Sequence, residues 1–296
     1  MVSVIIPTYG FPTFLKKSIE SVLNQTLSDW ELIIVDDNNP DTEARRRTEM
    51  LINEFTDKRI KYIKHPHNKN GAAARNTALR EAKGEYISFL DSDDEYMPNR
   101  LEECVKAMKD AGGDVAGVYT GCEFRRGGKT YLKYKDVKSG KFLVETLACR
   151  FMFCTGSNIF VKRDVIEELN GFDESFLRHQ DYEFLVRLFE KYSLIALPEI
   201  LVVKNNENFN LPNIGKMEIV KKQYLEKFSD IIERLTDNNR AYVFYANYIS
   251  LAELSLHQHN IKSASTFYRL ATDSHPMMIK DKIRKILLTI KLYVTK

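Results

Sequence analysis

Across its first 94 residues the chain alternates short apolar runs with amphipathic segments, and three of the runs stop on polar residues. Residues 2–6 (VSVII) are mostly β-branched and apolar, as a buried strand is. Phe14, Leu15, Ser18, Ile19, Val22 and Leu23 then recur at helical spacing behind Pro12. Residues 31–35 (ELIIV) repeat the strand pattern and end on Asp36 and Asp37. A polar helix follows from about 41 to 55 and is expected to bury Met50, Leu51 and Phe55. Residues 59–63 alternate like an outer strand, and 72–82 read as an Ala-rich helix closed by Gly84. Residues 86–90 (YISFL) run straight into Asp91-Ser92-Asp93-Asp94. This order predicts an α/β protein with a mainly parallel sheet covered by helices on both faces. Such sheets bind ligands at the carboxyl ends of their strands. Pro7-Thr8-Tyr9, Asp36-Asp37 and residues 91–94 all stand there.

The middle of the chain is more mixed. Residues 98–108 look helical, 115–120 a strand, and 125–134 a hairpin turning at Gly127-Gly128. Residues 156–161 read as a strand and 164–169 as a short helix stopped by Gly171. The helix expected over 181–191 would bury Phe184, Leu185, Leu188 and Phe189. Residues 194–203 read as strand broken at Pro198, and the Asn-rich stretch 205–213 as a boundary. Helical patterns follow to the end. Tyr248, Leu251, Ala252, Ala264, Tyr268, Ala271 and Pro276 fit one 34-residue tetratricopeptide-like repeat; one repeat cannot bury its own apolar face, so a helical hairpin is expected rather than an array. A last helix puts Ile279, Ile283, Ile286, Leu287, Ile290 and Val294 on one face, with Lys280, Lys282, Arg284, Lys285 and Lys291 on its flanks.

At 296 residues two domains are expected, with bounds 1–212 and 213–296. Charge divides the same way. Residues 216–296 hold 14 Lys and Arg against 8 Asp and Glu, a net of +6, which leaves −3 for residues 1–215. The basic tail with its apolar face suggests contact with an anionic membrane surface or docking in a homodimer. Four cysteines without a CxxC pair are expected to be buried thiols in a reducing compartment. The N-terminal segment lacks the basic region of a secretory signal, and no run reaches the roughly 18 apolar residues of a membrane span. A cytoplasmic location, peripheral at the inner face of the membrane, is therefore expected. No GxGxxG or Walker sequence occurs, which disfavours dehydrogenases and P-loop enzymes, and no nucleic-acid partner is expected. His65-Pro66-His67 and His257-Gln258-His259 are read as surface histidines.

The strand ends carry the chemistry. Asp91-Ser92-Asp93 places two carboxylates at i and i+2, a pattern that holds a hard divalent cation such as Mg²⁺ or Mn²⁺ alongside substrate phosphates. It also occurs in solvated turns that cap helices. Asp37 suits a base N–H or a ribose hydroxyl, or else a helix N-cap. Thr8 and Tyr9 are placed to bracket a planar base. Arg75 opens a helix after Gly71 and suits either a phosphate or a surface ion pair. Asp181 suits either an N-cap or a general base.

Taken together, residues 2–9 (VSVIIPTY), 21–26 (SVLNQT), 31–38 (ELIIVDDN), 70–76 (NGAAARN), 84–94 (GEYISFLDSDD), 170–174 (NGFDE) and 180–188 (QDYEFLVRL) resemble the family 2 inverting glycosyltransferases of bacterial surface-polysaccharide type. They do so in family order over about residues 1–205. The resemblance implies a GT-A nucleotide-sugar-binding fold over 1–212, with a helical C-terminal extension. It implies that Pro7, Thr8, Tyr9, Asp37, Arg75, Asp91 and Ser92 hold the nucleotide, usually uridine. Asp93 would ligate Mn²⁺ or Mg²⁺, with Asp91 reaching the ribose or the metal through water, and Asp181 would be the catalytic base. The implied activity moves one sugar from a nucleotide-diphosphate donor, a UDP-sugar, to a hydroxyl of a glycan or lipid-linked acceptor. Two positions depart from the family pattern. Gln180 stands where Glu is common, and Asn206, a weak ligand, stands where the family often has His. The GlnXXArgTrp signature of processive members is absent. A degenerate scaffold acting through its helical tail and a sugar nucleotidyltransferase are the alternatives; the latter needs a Gly-rich basic N-terminal loop that Gly10-Phe11-Pro12 does not supply.

Overall fold

The computed structural model describes residues 1–205 and 212–294. Its elements fall into two units. The first opens with β1 (Val2–Thr8), α1 (Leu15–Leu23), β2 (Trp30–Asp36), α2 (Glu43–Ile52), β3 (Ile60–Lys64), α3 (Gly71–Leu79) and β4 (Tyr86–Phe89). It continues through β5 (Glu95–Tyr96), α4 (Arg100–Lys109), β6 (Val115–Arg126) and β7 (Lys129–Tyr134). After α5 (Leu143–Leu147) come β8 (Phe160–Lys162), α6 (Arg163–Glu168), α7 (Gln180–Lys191) and β9 (Ser193–Asn205). The strands make one sheet in the order β3-β2-β1-β4-β8-β6-β9-β5, with β7 paired to β6. β3, β2, β1 and β4 run parallel, as the alternation predicts, while β8 lies antiparallel between β4 and β6.

The core follows from the strand composition. Val2, Val4, Ile6, Leu32 and Ile34 are fully buried and meet Leu15, Ile19 and Val22 of α1. At this contact burial of each large side chain contributes about 1.5–3 kcal/mol. Gly117 on β6 is required by close approach: a Cβ there would stand 2.1 Å from the Phe160 carbonyl oxygen on β8. The hairpin of β6 and β7 turns at Gly127 and Gly128, both at positive φ.

Three expectations change. The α2 helix does not bury Met50, which is 71% exposed. Its inner face carries Arg45, Thr48 and Ile52, because Arg45 reaches Asp36 at the end of β2. Residues 156–158 form a single 3-10 turn ahead of β8 instead of strand, since Thr155 caps Ser157 and Asn158 bonds back to Thr120 and Phe153. Cys122 and Cys154 are joined in a disulfide, where free thiols were expected. The strand and the turn bring their Cα atoms to 6.6 Å across 32 residues, which spacing along the chain does not reveal. Cys104 is a buried thiol.

The second unit holds α5 with α8 (Ile214–Lys227), α9 (Ser229–Glu233), α10 (Asp237–His257), α11 (Ile261–Ser274) and α12 (Ile279–Val294). Residues 142–151 lie in the span expected for the first domain but cluster here. The Thr146 carbonyl accepts Tyr224 Oη at 2.8 Å and the Leu147 carbonyl accepts Asn247 Nδ2 at 2.9 Å. α10 and α11 form a hairpin that buries Leu251, Ala252, Ala264, Tyr268 and Ala271. Among the described residues no helix is long and apolar enough to cross a membrane.

Candidate active site

A cleft of about 350 Å³ opens at the carboxyl ends of β1, β2 and β4, in the first unit. Pro7, Thr8, Tyr9, Asp37, Asp91, Ser92 and Asp93 all line it, with Gly71 and Ala74 of α3 on one wall. Tyr9 and Phe11 stand at its mouth, both more than 60% exposed. The Arg47 guanidinium carbon lies 5.4 Å from the centre of the Phe11 ring.

The two aspartates after β2 face different ways. Asp36 turns inward and is fully buried, held by Arg45 Nε at 3.0 Å and Tyr62 Oη at 2.6 Å. Arg45 Nη2 also donates to the Asp36, Asn38 and His65 carbonyls, which fixes the guanidinium beneath the end of β2. Asp37 turns to the cleft. Its Oδ1 accepts His65 Nδ1 at 2.7 Å and the Lys69 amide at 2.9 Å, and its Oδ2 accepts Asn68 Nδ2 at 2.8 Å. A carboxylate offers about four acceptor positions, so one remains on Oδ2. His65 is therefore no surface histidine: it is 3% exposed, and its Nε2 meets Thr77 Oγ1 at 2.8 Å. The i, i+2 histidine spacing says nothing of this, because the contact comes from β3 lying beside β2. His67, His257 and His259 are exposed.

Asp91, Asp93 and Asp94 bring carboxylate oxygens within 4.8 Å of one another. Their environments differ. Asp93 is exposed toward the cleft. Asp91 Oδ1 is bound by Arg75 Nη2 at 2.7 Å. Asp94 is wholly buried, accepting Ser157 Oγ at 2.6 Å, Thr155 Oγ1 at 2.9 Å and the Asn205 amide at 3.2 Å. Burial pushes its carboxyl up to about 7, with Asp91 and Asp93 adding to the rise against the pull of Lys204. Burial and the Asp91 charge also raise Asp93. An all-oxygen set with one exposed carboxylate and one half-exposed neighbour fits a hard divalent cation, and Asp94 serves beneath it as a braced inner carboxylate.

Arg75 ties this cluster to α7. It is half-buried, and its Nη1 donates to Gln180 Oε1 at 3.1 Å while Gln180 Nε2 donates to the Phe176 carbonyl. Asp181 is the second residue of α7, behind His179 in the left-handed conformation, so it is not the N-cap. Burial raises its pKa, partly offset by Arg75 and reinforced by Asp91. A Cβ on Gly156 would stand 3.7 Å from Asp91 Oδ2, 3.8 Å from Arg75 Nη2 and 3.9 Å from Asp181 Oδ2. Those three groups thus converge on a single point in front of the 156–158 turn. Arg100 holds that turn from below, donating to Asn158 Oδ1 and the Ser157 carbonyl.

Lys204, on β9, is the site residue that the sequence pattern does not single out. Its Nζ lies 3.8 Å from Asp94 Oδ2 and donates to Thr155 Oγ1. Burial lowers its pKa, but Asp94, Asp91, Asp93 and Asp181 outweigh that and hold it above the ordinary lysine value. Asp91, Asp93, Asp94 and Asp181 against Arg75 and Lys204 leave a formal charge of −2, a balance that suits one divalent cation. Asn206 lies outside the described residues.

Comparison with known proteins bears on the family and the fold. The family model described as glycosyl transferase family 2 matches residues 3–170. A glycosyltransferase of Methanocaldococcus jannaschii is 33% identical over 229 residues, covering 74% of this chain and 76% of that protein. The Escherichia coli UDP-Glc:alpha-D-GlcNAc-diphosphoundecaprenol beta-1,3-glucosyltransferase WfgD is 28% identical over 253 residues, covering 84% and 92%. Among solved structures, Staphylococcus aureus TarS in complex with UDP-GlcNAc superposes with a TM-score of 0.58 at 15% identity, over 91% of this chain and 90% of that one. The Pyrobaculum calidifontis mannosyltransferase PcManGT, in complex with GDP-Man and Mn²⁺, gives 0.58 at 18% identity, over 99% and 79%. The fold is thus GT-A, and the chain belongs to glycosyltransferase family 2.

Proposed function

We propose that this glycosyltransferase is inverting and metal-dependent, and that it moves one sugar from a UDP-sugar to a hydroxyl of a surface glycan or lipid-linked acceptor. The observation that carries the reading is the convergence of Asp181, Asp91 and Arg75 on one point beside the exposed Asp93. The donor class draws support from the UDP and UDP-GlcNAc complexes of TarS, and the acceptor class from the lipid-linked acceptor named for WfgD.

In this reading the base lies between Thr8 and Tyr9, and its N–H donates to the free position on Asp37 Oδ2. Asp91 and Ser92 face the ribose and diphosphate. Asp93, with Asp91 directly or through water, would hold Mn²⁺ or Mg²⁺, and the bound ion would offset charge on the leaving diphosphate. Lys204 and Arg75 supply fixed positive charge to the same region. Asp181 takes the acceptor hydroxyl proton as that oxygen attacks the anomeric carbon from the face opposite the diphosphate. The anomeric C–O bond breaks with its electron pair leaving on the diphosphate, and configuration inverts. The raised pKa of Asp181 improves it as a base at neutral pH. Catalysis is assigned to residues 1–212, and residues 213–296 to placing the enzyme, at the inner face of the membrane.

The test is a screen of nucleotide sugars with EDTA-treated protein and added Mn²⁺ or Mg²⁺, scoring UDP release and the anomeric configuration of product. UDP-sugar turnover that needs metal and inverts supports the proposal. Transfer with retained configuration, or transfer unaffected by EDTA, refutes the corresponding part.

A further inference from the structure

The final helix is built inside out for a soluble protein. A surface helix of a globular unit turns its apolar stripe inward and its charges to water. On α12 the inward face is mostly polar, with the half-buried Leu288 its apolar member. Asp281 is 3% exposed and accepts Tyr245 Oη at 2.6 Å, Arg284 pairs with the buried Glu253 at 3.3 Å, and Lys285 Nζ lies 4.4 Å from the Tyr268 ring centre. At about 100° per residue, Ile279, Ile283, Ile286 and Ile290 lie within about 40° of the direction opposite Asp281. They are 77%, 54%, 58% and 53% exposed, and Leu287 beside them is 62% exposed. The stripe runs about 17 Å along the helix. A cavity of about 470 Å³, lined in part by Ala264, Tyr268, Met277 and Lys285, opens between α11 and α12. Ionic and hydrogen-bonded ties thus hold the helix while its apolar side faces away.

We propose that this face of α12 is an interfacial membrane anchor that lies in the plane of an anionic lipid surface. The charge pattern selects that occupant. Lys280 and Lys282 flank the stripe on its two sides and are exposed. Residues 280–296 hold six basic residues and one acidic one, and that acid, Asp281, is buried. A second copy of this face would set lysines against lysines, whereas anionic headgroups complement both flanks while the isoleucines enter the acyl boundary. Only the helical unit enters here, so the anchor does not depend on the assignment of donor or acceptor.

The experiment is flotation of the full chain with vesicles of phosphatidylcholine, with and without about 30% phosphatidylglycerol, at about 0.1 M and about 0.5 M salt. The expected result is binding to the anionic vesicles that falls at high salt, with weak binding to the neutral ones. Ile283→Asp with Ile286→Asp should weaken binding about 100-fold or more. Lys280→Gln with Lys282→Gln should weaken it about 30-fold. The lysine pair removes charge but no apolar surface, so it keeps the test open should the aspartate pair disturb the helix. Equal binding to neutral and anionic vesicles, or binding untouched by both pairs, overturns the proposal. So does a wild-type dimer in solution that the Ile283→Asp, Ile286→Asp chain cannot form, since that makes the face a contact between copies.

Discussion

Lys204 makes the sharpest test of the carboxylate cluster. Its Nζ sits 3.8 Å from the fully buried Asp94 Oδ2. At an effective dielectric constant of about 20 that attraction is roughly 4 kcal/mol before desolvation is counted. Lys204→Met leaves a buried carboxylate without its cation, which typically costs about 3–5 kcal/mol. Asp94 has an escape, because its carboxyl is already raised to about 7 and takes up a proton readily. The pair contributes only while Asp94 is ionised. The loss should therefore be near 3 kcal/mol at pH 8 and clearly smaller at pH 6. Asp94→Asn added to Lys204→Met should recover most of the loss, a coupling of about 2–3 kcal/mol. The assay is urea unfolding in EDTA followed by tryptophan fluorescence. Trp30 is the single Trp, buried on β2, so the signal reports the sheet unit. Additive effects within about 0.5 kcal/mol, or a larger loss at pH 6 than at pH 8, would refute the reasoning.

Asp181→Asn should lower kcat by about 10²–10⁴ with little change in donor KM. In the unaltered enzyme kcat/KM should rise with pH through a pKa above the usual carboxylate range, since Asp181 must be ionised to accept a proton and its pKa is raised; the pH profile with saturating metal checks this. His65→Ala should weaken UDP binding about 10-fold by calorimetry, because Asp37 loses a donor that orients it, while His67→Ala should have no effect. Gly117→Ala should lower the midpoint of thermal unfolding by several degrees, because Phe160 on β8 must give way. Asp93→Ala should abolish any Mn²⁺-dependent gain in UDP affinity, measured by titration with and without EDTA.

The chain is legible where pattern and position coincide. The β1 to β4 alternation is local, and each strand ends where its hydrophobic run ends, so the order of residues along the chain is enough to assign 7–9, 37 and 91–93 to one edge. Legibility fails where a role depends on a distant strand. His65 resembles half of an exposed pair because burial by β2 and α3 has no local mark. Lys204 sits in VVKNN, where the alternation of β9 alone cannot say that its side chain meets Asp94 on a distant loop. Met50 shows that apolarity is not burial: the ionic reach of Arg45 to Asp36 sets the rotation of α2. Cys122 and Cys154 meet only through the turn at 156–158, whose polar residues bond across to β6.

The division between Asp36 and Asp37 has a consequence for how this chain can vary. Neighbouring residues at a strand end point to opposite sides, so one carboxylate is committed to Arg45 and the other to the cleft. Inserting or deleting one residue in β2 would exchange them, sending Arg45's partner into the cleft and the ligand-facing carboxylate into the interior. Volume-conserving apolar substitutions along this buried strand cost little, but its length is not free. Homologous or engineered versions that keep function should therefore vary in side chains on β2 and gain or lose residues only in the loops beyond it.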